Sequence, residues 1–147
     1  MTELMLERGA PRDLTEITVA EAMHPGVVTC PLETSLRDVA RMMALYRIHA
    51  VVAYGEDNDD VEGPGLWGVV SDLDLVRAAV PGRLEDLSAR GTAVTPALTI
   101  GPDDTLQHAA QLMSEHDLTH LVVVEPERKT PLGVLSTLDV ARSLVAW

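Results

Sequence analysis

Two stretches of the chain set a hydroxyl and a carboxylate at a spacing that could hold a ligand. They are Gly68-Val69-Val70-Ser71-Asp72-Leu73-Asp74 and Gly133-Val134-Leu135-Ser136-Thr137-Leu138-Asp139. In each, an apolar run ends on Ser and a helical pattern begins. A serine hydroxyl, the unshielded N–H groups of a helix start and an Asp three residues on are thereby gathered together. The donors suit a phosphate, and the fixed carboxylate suits a ribose diol. The same pattern also has a structural use: Ser is a preferred helix N-cap, and an Asp in the first turn favours the positive end of the helix dipole. One copy leaves the two uses level. A second copy, again preceded by a glycine hairpin return, weakens the purely structural use.

Other patterns that look chemical lose that meaning in context. Gly63-Pro64-Gly65-Leu66-Trp67-Gly68 satisfies Gly-x-Gly-x-x-Gly. A dinucleotide fingerprint needs those glycines after a strand and at a helix start, whereas here they lead into the strand Gly68-Val69-Val70. There is no Walker-type Gly-Lys-Ser/Thr and no Gly-x-Ser-x-Gly elbow, so neither ATP hydrolysis nor serine esterase chemistry has a visible site. The acidic run from Glu56 to Glu62 has the wrong spacing for an EF-hand and reads as a solvated hairpin tip. His116 and His120 are spaced like helix-borne metal ligands, but a strand begins at Leu118 and no Glu accompanies them, so no metal site is expected. Met42-Met43 and Leu112-Met113 read as core filling.

The elements that must position the Ser-x-x-Asp pairs also come twice. Thr29, Leu36, Ala40, Met43 and Val52 meet Thr99, Leu106, Ala110, Met113 and Val122 at a constant shift of 70 residues. Residues 1–16 form an N-terminal arm and 17–80 a first repeat; 81–92 link to a second repeat, 93–147. Within the first repeat, Ile17–Met23 starts a short strand or helix, His24-Pro25-Gly26 turns the chain and Val27–Thr29 is extended. Thr34 or Ser35 caps a helix running from Leu36 to about Tyr46. Ala50–Tyr54 and Leu66–Val70 form a hairpin, and a second helix runs from Asp72 to about Val80 before Pro81-Gly82. The second repeat follows with a strand at Leu98–Ile100, a cap at Asp104 or Thr105, and a helix from Leu106 to about Glu115. Strands at Leu121–Val124 and Leu132–Leu135 come next, then a helix from about Leu138 to Val145. In the link, Leu84–Leu87 is expected to be helical. A half-chain repeat implies two units burying apolar faces against each other, with the site sought at their contact.

Composition narrows the function classes. At 147 residues and 46% hydrophobic content the chain can build a core, and it is not disordered. A net charge of −12, with 11 basic against 23 acidic residues, argues against a nucleic-acid partner, as does the 3% aromatic content. Nothing approaches the roughly 18 apolar residues of a membrane span, and the first residues are too acidic for a secretory signal. Cys30 is the single cysteine, which fits a reducing interior and reads as a small buried apolar residue; the expected compartment is the cytoplasm.

At the duplicated Gly-apolar-apolar-Ser-x-x-Asp the chain resembles the CBS domain, named for cystathionine β-synthase, in its tandem arrangement, the Bateman module. The resemblance covers about residues 17–146. It implies an α/β (α+β) fold of two pseudo-twofold-related β-α-β-β-α repeats packed through their sheets. It implies a stand-alone regulatory module and not an enzyme: a sensor of an adenosine-type ligand (AMP, ADP, ATP or S-adenosylmethionine) with no required cofactor. The implied assembly is a homodimer that signals to a partner protein. The resemblance further implies two clefts, each drawn from both repeats. In the first, Asp139 accepts from the ribose hydroxyls, Ser136 and Thr137 sit near phosphate, and Val28, Thr29, Ile48 and Val51 hold the adenine. His49 and His120 stand where relatives often place basic residues for phosphate. The second cleft uses Ser71, Asp72, Asp74, Leu98, Thr99, Leu118 and Leu121, and is expected to be weaker because Asp72 puts a carboxylate where the other copy has Thr137. Two departures matter: Val52 and Val122 replace a proline common in the family, and Ala50 stands where an Arg often follows the first basic position. With fewer cations, AMP, ADP or S-adenosylmethionine suits the site at least as well as ATP. The alternative is an interaction or scaffold protein whose clefts are empty or vestigial.

Overall fold

Short side chains that accept the first free N–H groups set most of the helix starts, which is what the Ser and Thr positions in the sequence anticipate. The computed structural model describes residues 13–55, 65–93 and 97–145. Within these, the order is α1 (Val19–Ala22), β1 (His24–Pro25), β2 (Thr29–Pro31), α2 (Leu36–Tyr46), β3 (Ala50–Gly55), β4 (Gly65–Ser71), α3 (Asp72–Ala79), α4 (Ala89–Thr92), β5 (Thr99–Ile100), α5 (Leu106–His116), β6 (His120–Val124), β7 (Pro131–Ser136) and α6 (Thr137–Ser143). Ser35 caps α2 by accepting from the Asp38 N–H, and Thr105 caps α5 by accepting from the His108 N–H. Thr34 and Asp104, the other candidates, do not cap; the Asp104 carboxylate instead accepts from the Gly101 N–H at 3.0 Å. Both helices end on a non-glycine residue in the left-handed region, Arg47 at φ 54° and Asp117 at φ 53°.

The described chain divides into two compact units, and the division does not follow the linear order of the repeats. One unit holds residues 13–26 together with 99–145; the other holds 27–98.

In the discontinuous unit, the sheet order is β1-β7-β6-β5. β5 runs parallel to β6, with Thr99 opposite Val122, and β6 and β7 form an antiparallel hairpin with Leu121 opposite Leu135. β1 closes the far edge antiparallel to β7, His24 opposite Val134 and Pro25 opposite Gly133. The segment before it is sewn to the same unit. Thr18 and Glu21 form a capping box, the Val19 and Ala20 N–H groups donate to the Asp104 and Pro102 carbonyls, and the Leu106 N–H donates to Ile17. Ile17, Val19, Ile100, Leu106, Ala109, Met113, Leu121 and Leu135 are buried.

The continuous unit has the order β2-β3-β4, with Thr29 of β2 parallel to Val52 and Val51 antiparallel to Val70. Its core gathers Cys30, Leu32, Leu36, Val39, Met43, Val51, Ala53, Val70, Ala78 and Ala89. Burial pushes the Cys30 thiol above its ordinary range, only partly offset by a hydrogen bond with Thr34. Ala50, Val51, Val52 and Ala53 are all buried, so β3 lacks the alternation of a strand with one wet face.

The differences from the sequence expectations lie at the joins. Ile17–Met23 resolves into a single helical turn, and the first extended run begins two residues later than expected, at Thr29. Leu84–Leu87 holds turns and not a helix; the link's helix is α4, where the Ala89 and Arg90 N–H groups donate to the Thr34 and Leu32 carbonyls. The acidic run 56–62 lies outside the described residues. No group of His, Cys, Asp and Glu among the described residues is arranged to hold a metal, and no described helix is long and apolar enough to cross a membrane.

Candidate functional site

Both Ser-x-x-Asp pairs stand where a hairpin strand turns straight into a helix, β4 into α3 and β7 into α6. The Ser keeps extended backbone while its side chain accepts from the Asp N–H, and the Asp carboxylate reaches back to the Ser. In the second copy the Ser136 N–H and hydroxyl donate to Asp139 Oδ2 at 2.8 and 3.0 Å, and the Asp139 N–H donates to Ser136 Oγ at 3.2 Å. In the first copy the same bonds link Ser71 and Asp74 at 2.8, 3.1 and 3.4 Å. The structural use of the pattern is therefore realised in both.

The strand before each helix is tied in as well. The Asp72 N–H donates to the His49 carbonyl, and the Thr137 N–H donates to the Thr119 carbonyl. These bonds agree with the shift of 70 residues between the repeats. His49 corresponds to Thr119 and not to His120, since Ala50 pairs with Ser71 as His120 pairs with Ser136. One residue along a strand reverses the side to which a side chain points, so the two histidines are not equivalent. His49 Nδ1 lies 3.4 Å from Asp72 Oδ2, both groups being largely exposed. His120 Nδ1 is instead 2.9 Å from the Thr119 hydroxyl.

The two carboxylates differ most in their surroundings. Asp139 is 3% exposed, the one buried charged side chain of the described residues, while Asp74 is half-buried. The free oxygen of Asp139 has a partner that sequence reasoning missed: His24 Nδ1, on β1, is 3.1 Å from Asp139 Oδ1. Nothing local in the sequence links the two. The signal was the His-Pro-Gly at 24–26, which reads as a turn but forms the edge strand beside β7.

The remaining expected residues divide between the units. Val28, Thr29, Ile48, His49, Val51, Ser71, Asp72, Asp74 and Leu98 are in the continuous unit; Thr99, Leu118, His120, Leu121, Ser136, Thr137 and Asp139 are in the other. Thr29, His49, Asp72, Thr99 and Thr137 are exposed, whereas Val28, Ile48, Leu98, Leu118 and His120 are half-buried. Val51 and Leu121 are fully buried, and Val51 belongs to its unit's core. The expected apolar contact of Val51 with a base is thus not open to its side chain; each of these two residues has only its backbone to offer a ligand.

A duplicated strand-to-helix junction closed by a Ser-Asp box, once in each of two α/β units, defines the class. Residues 19–81 and 89–146 both match the family model of the CBS domain, and the chain belongs to that family as a tandem pair. Solved structures of the same fold include the CBS domain of a bacterial CNNM/CorC-family Mg2+ transporter in complex with ATP. It is 20% identical, with 89% of each chain covered and a TM-score of 0.69. A CBS domain pair in complex with 5′-methylthioadenosine and S-adenosyl-L-methionine is 17% identical, covering 86% of this chain and 94% of that one, with a TM-score of 0.70. A CBS-domain containing protein from Agrobacterium tumefaciens is 20% identical, with 86% and 92% covered and a TM-score of 0.70. No curated protein matches the chain.

Proposed function

We propose that the chain is a regulatory module that acts by binding an adenosine-type ligand and passing the change to a partner protein, without catalysis of its own. Asp139 is the ribose anchor, and Ser136 and Thr137 face a phosphate or its substitute. The observation that carries this reading is the buried Asp139 carboxylate, held in one orientation by two Ser136 donors at the end of a hairpin strand. The ligands bound to two proteins of the same fold, ATP in one and S-adenosylmethionine with methylthioadenosine in the other, support the ligand class. Ser71, Asp72 and Asp74 form the weaker counterpart, because Asp72 adds negative charge.

Thermal unfolding against AMP, ADP, ATP and S-adenosylmethionine tests this directly. A ligand that binds only the native state stabilises it by about 2.7 kcal/mol at 100 times its Kd. No shift with any of the four would leave the second reading, an interaction protein with vestigial sites. One observation favours that reading: both Asp139 oxygens already have protein partners.

The assembly that fits is a homodimer. Leu45, Tyr46, Leu73, Val76, Val80, Leu138 and Leu144 are exposed on or beside α2, α3 and α6, more apolar surface than scattered single residues explain. Light scattering should give twice the chain mass at micromolar concentration; a monomer there would sink it.

A further inference from the structure

We propose that His24 is a lid on Asp139: the imidazole and a ligand hydroxyl compete for the same carboxylate oxygen, and this makes binding sensitive to pH. The inference rests on the reading of Asp139 as a ligand anchor. Asp139 Oδ2 is committed to the Ser136 N–H and hydroxyl, which leaves Oδ1 for a ribose. Oδ1 is where His24 Nδ1 sits, at 3.1 Å. A carboxylate only accepts, so Nδ1 carries the proton and donates. The carboxylate is 3% exposed while the imidazole over it is 67% exposed, so the lid's outer side is open to solvent. A hydroxyl that approaches Oδ1 from the imidazole's side must displace the ring.

The ring is free to do so without dismantling its support. β1 is held to β7 by backbone pairing, and the Gly26 N–H donates to the Leu132 carbonyl, none of which involves the imidazole. Around it, α1 contributes Glu21, which caps Thr18; β7 contributes no ionisable side chain. The α1 helix packs on α5 and α6, which bring His108, Glu115, His116, Asp139 and Arg142. His108 lies 3.8 Å from Asp104, and of all these it is Asp139 that stands against the ring. Imidazoles change charge between about pH 5 and 8, and a protonated donor makes the stronger, charge-assisted bond to a carboxylate. The lid is therefore held hardest at low pH and yields as pH rises.

The test is calorimetry of the full chain with adenosine, which carries no group titrating between about pH 6 and 8, on wild type, His24→Ala and His24→Gln. Wild type should bind adenosine roughly three- to tenfold more tightly at pH 8 than at pH 6, a difference of the size that a charge-assisted bond adds over a neutral one. His24→Ala, with no lid, should bind more tightly than wild type at pH 6 and lose the pH dependence. His24→Gln keeps an N–H donor that never titrates, so it should also lose the pH dependence while binding less tightly than His24→Ala. Adenosine bound by wild type but no more tightly by His24→Ala, or a pH dependence that survives in His24→Gln, would overturn the lid and leave the ligand reading intact. If all three proteins leave adenosine unbound at both pH values, the ligand reading fails and takes the lid with it. Binding by His24→Ala alone would support both.

Discussion

Asp74 and Asp139 close the same hydrogen-bonded box, but only Asp139 does so as a buried charge with a histidine on its other oxygen. At the first junction the histidine is His49, on the outside, and its carboxylate partner is Asp72 at the very start of the helix. The repeat has kept the cap and redistributed the charges around it. A motif therefore fixes a local conformation well and a chemical role poorly, because the role depends on what the rest of the fold brings against the free carboxylate oxygen. At the shift that relates the repeats His24 corresponds to Val94, which cannot donate.

The sharpest way to break the comparison is to remove each carboxylate in turn. A hydrogen bond to a charged group contributes about 1.5–3 kcal/mol, so Asp139→Ala should weaken an adenosine ligand by about ten- to a hundredfold. Asp74→Ala should change it little. Calorimetry that shows equal losses would make the two sites equivalent after all. Stability comes next in size. Asp139→Ala leaves the half-buried Ser136 N–H without its partner and opens a gap where a buried carboxylate stood, and should cost about 1–3 kcal/mol in urea unfolding; Asp74→Ala, nearer to the loss of an ordinary cap, should cost about 1 kcal/mol.

The edge strand that brings His24 in can be attacked separately. A Cβ on Gly133 would clash with the His24 carbonyl oxygen, so Gly133→Ala must push β1 off β7. Overpacking of this kind costs about 1–3 kcal/mol, and here the expected sign is faster hydrogen exchange at Gly26, whose N–H donates to the Leu132 carbonyl, with exchange in β3 and β4 unchanged. The smallest effect should come from Asp72→Thr, which gives the first junction the residue of the second. Removing an exposed like charge is worth a few tenths of a kcal/mol at most. Any gain in phosphate-bearing over phosphate-free ligand should accordingly stay below about threefold.

Much of this fold is written in local pattern. The apolar spacing of Leu36, Val39 and Met43, repeated in Leu106, Ala109 and Met113, is the buried stripe of α2 and α5. The two Ser-x-x-Asp pairs are legible because a capping box is made within four residues. What escaped notice depends on distant chain. Asp139 looks like any helix-start Asp until β1 returns from the other end of the sequence, and burial is a property of the assembled unit. His49 and His120 are both expected near the phosphate, yet the shift of 70 residues already matches His49 to Thr119, and the strand register agrees. The choice between Thr34 and Ser35, or Asp104 and Thr105, was open because Ser, Thr and Asp are all good N-caps and the candidates are adjacent.

The edge strand β1 has a consequence for how the chain is made. The discontinuous unit is split by the whole of residues 27–98, so β1 leaves the ribosome long before the β7 edge that receives it. The continuous unit has all its strands once residue 98 is out and can close first. Until β7 is made, β1 is an unpaired strand open to proteases and chaperones. We predict that limited proteolysis of chains stalled after residue 98 cuts ahead of residue 27 and spares β3 and β4; protection of that opening segment in the stalled chain would refute the order. Order of synthesis and order of folding are thereby inverted: β1 is made before β2, β3 and β4 and finds its place after them.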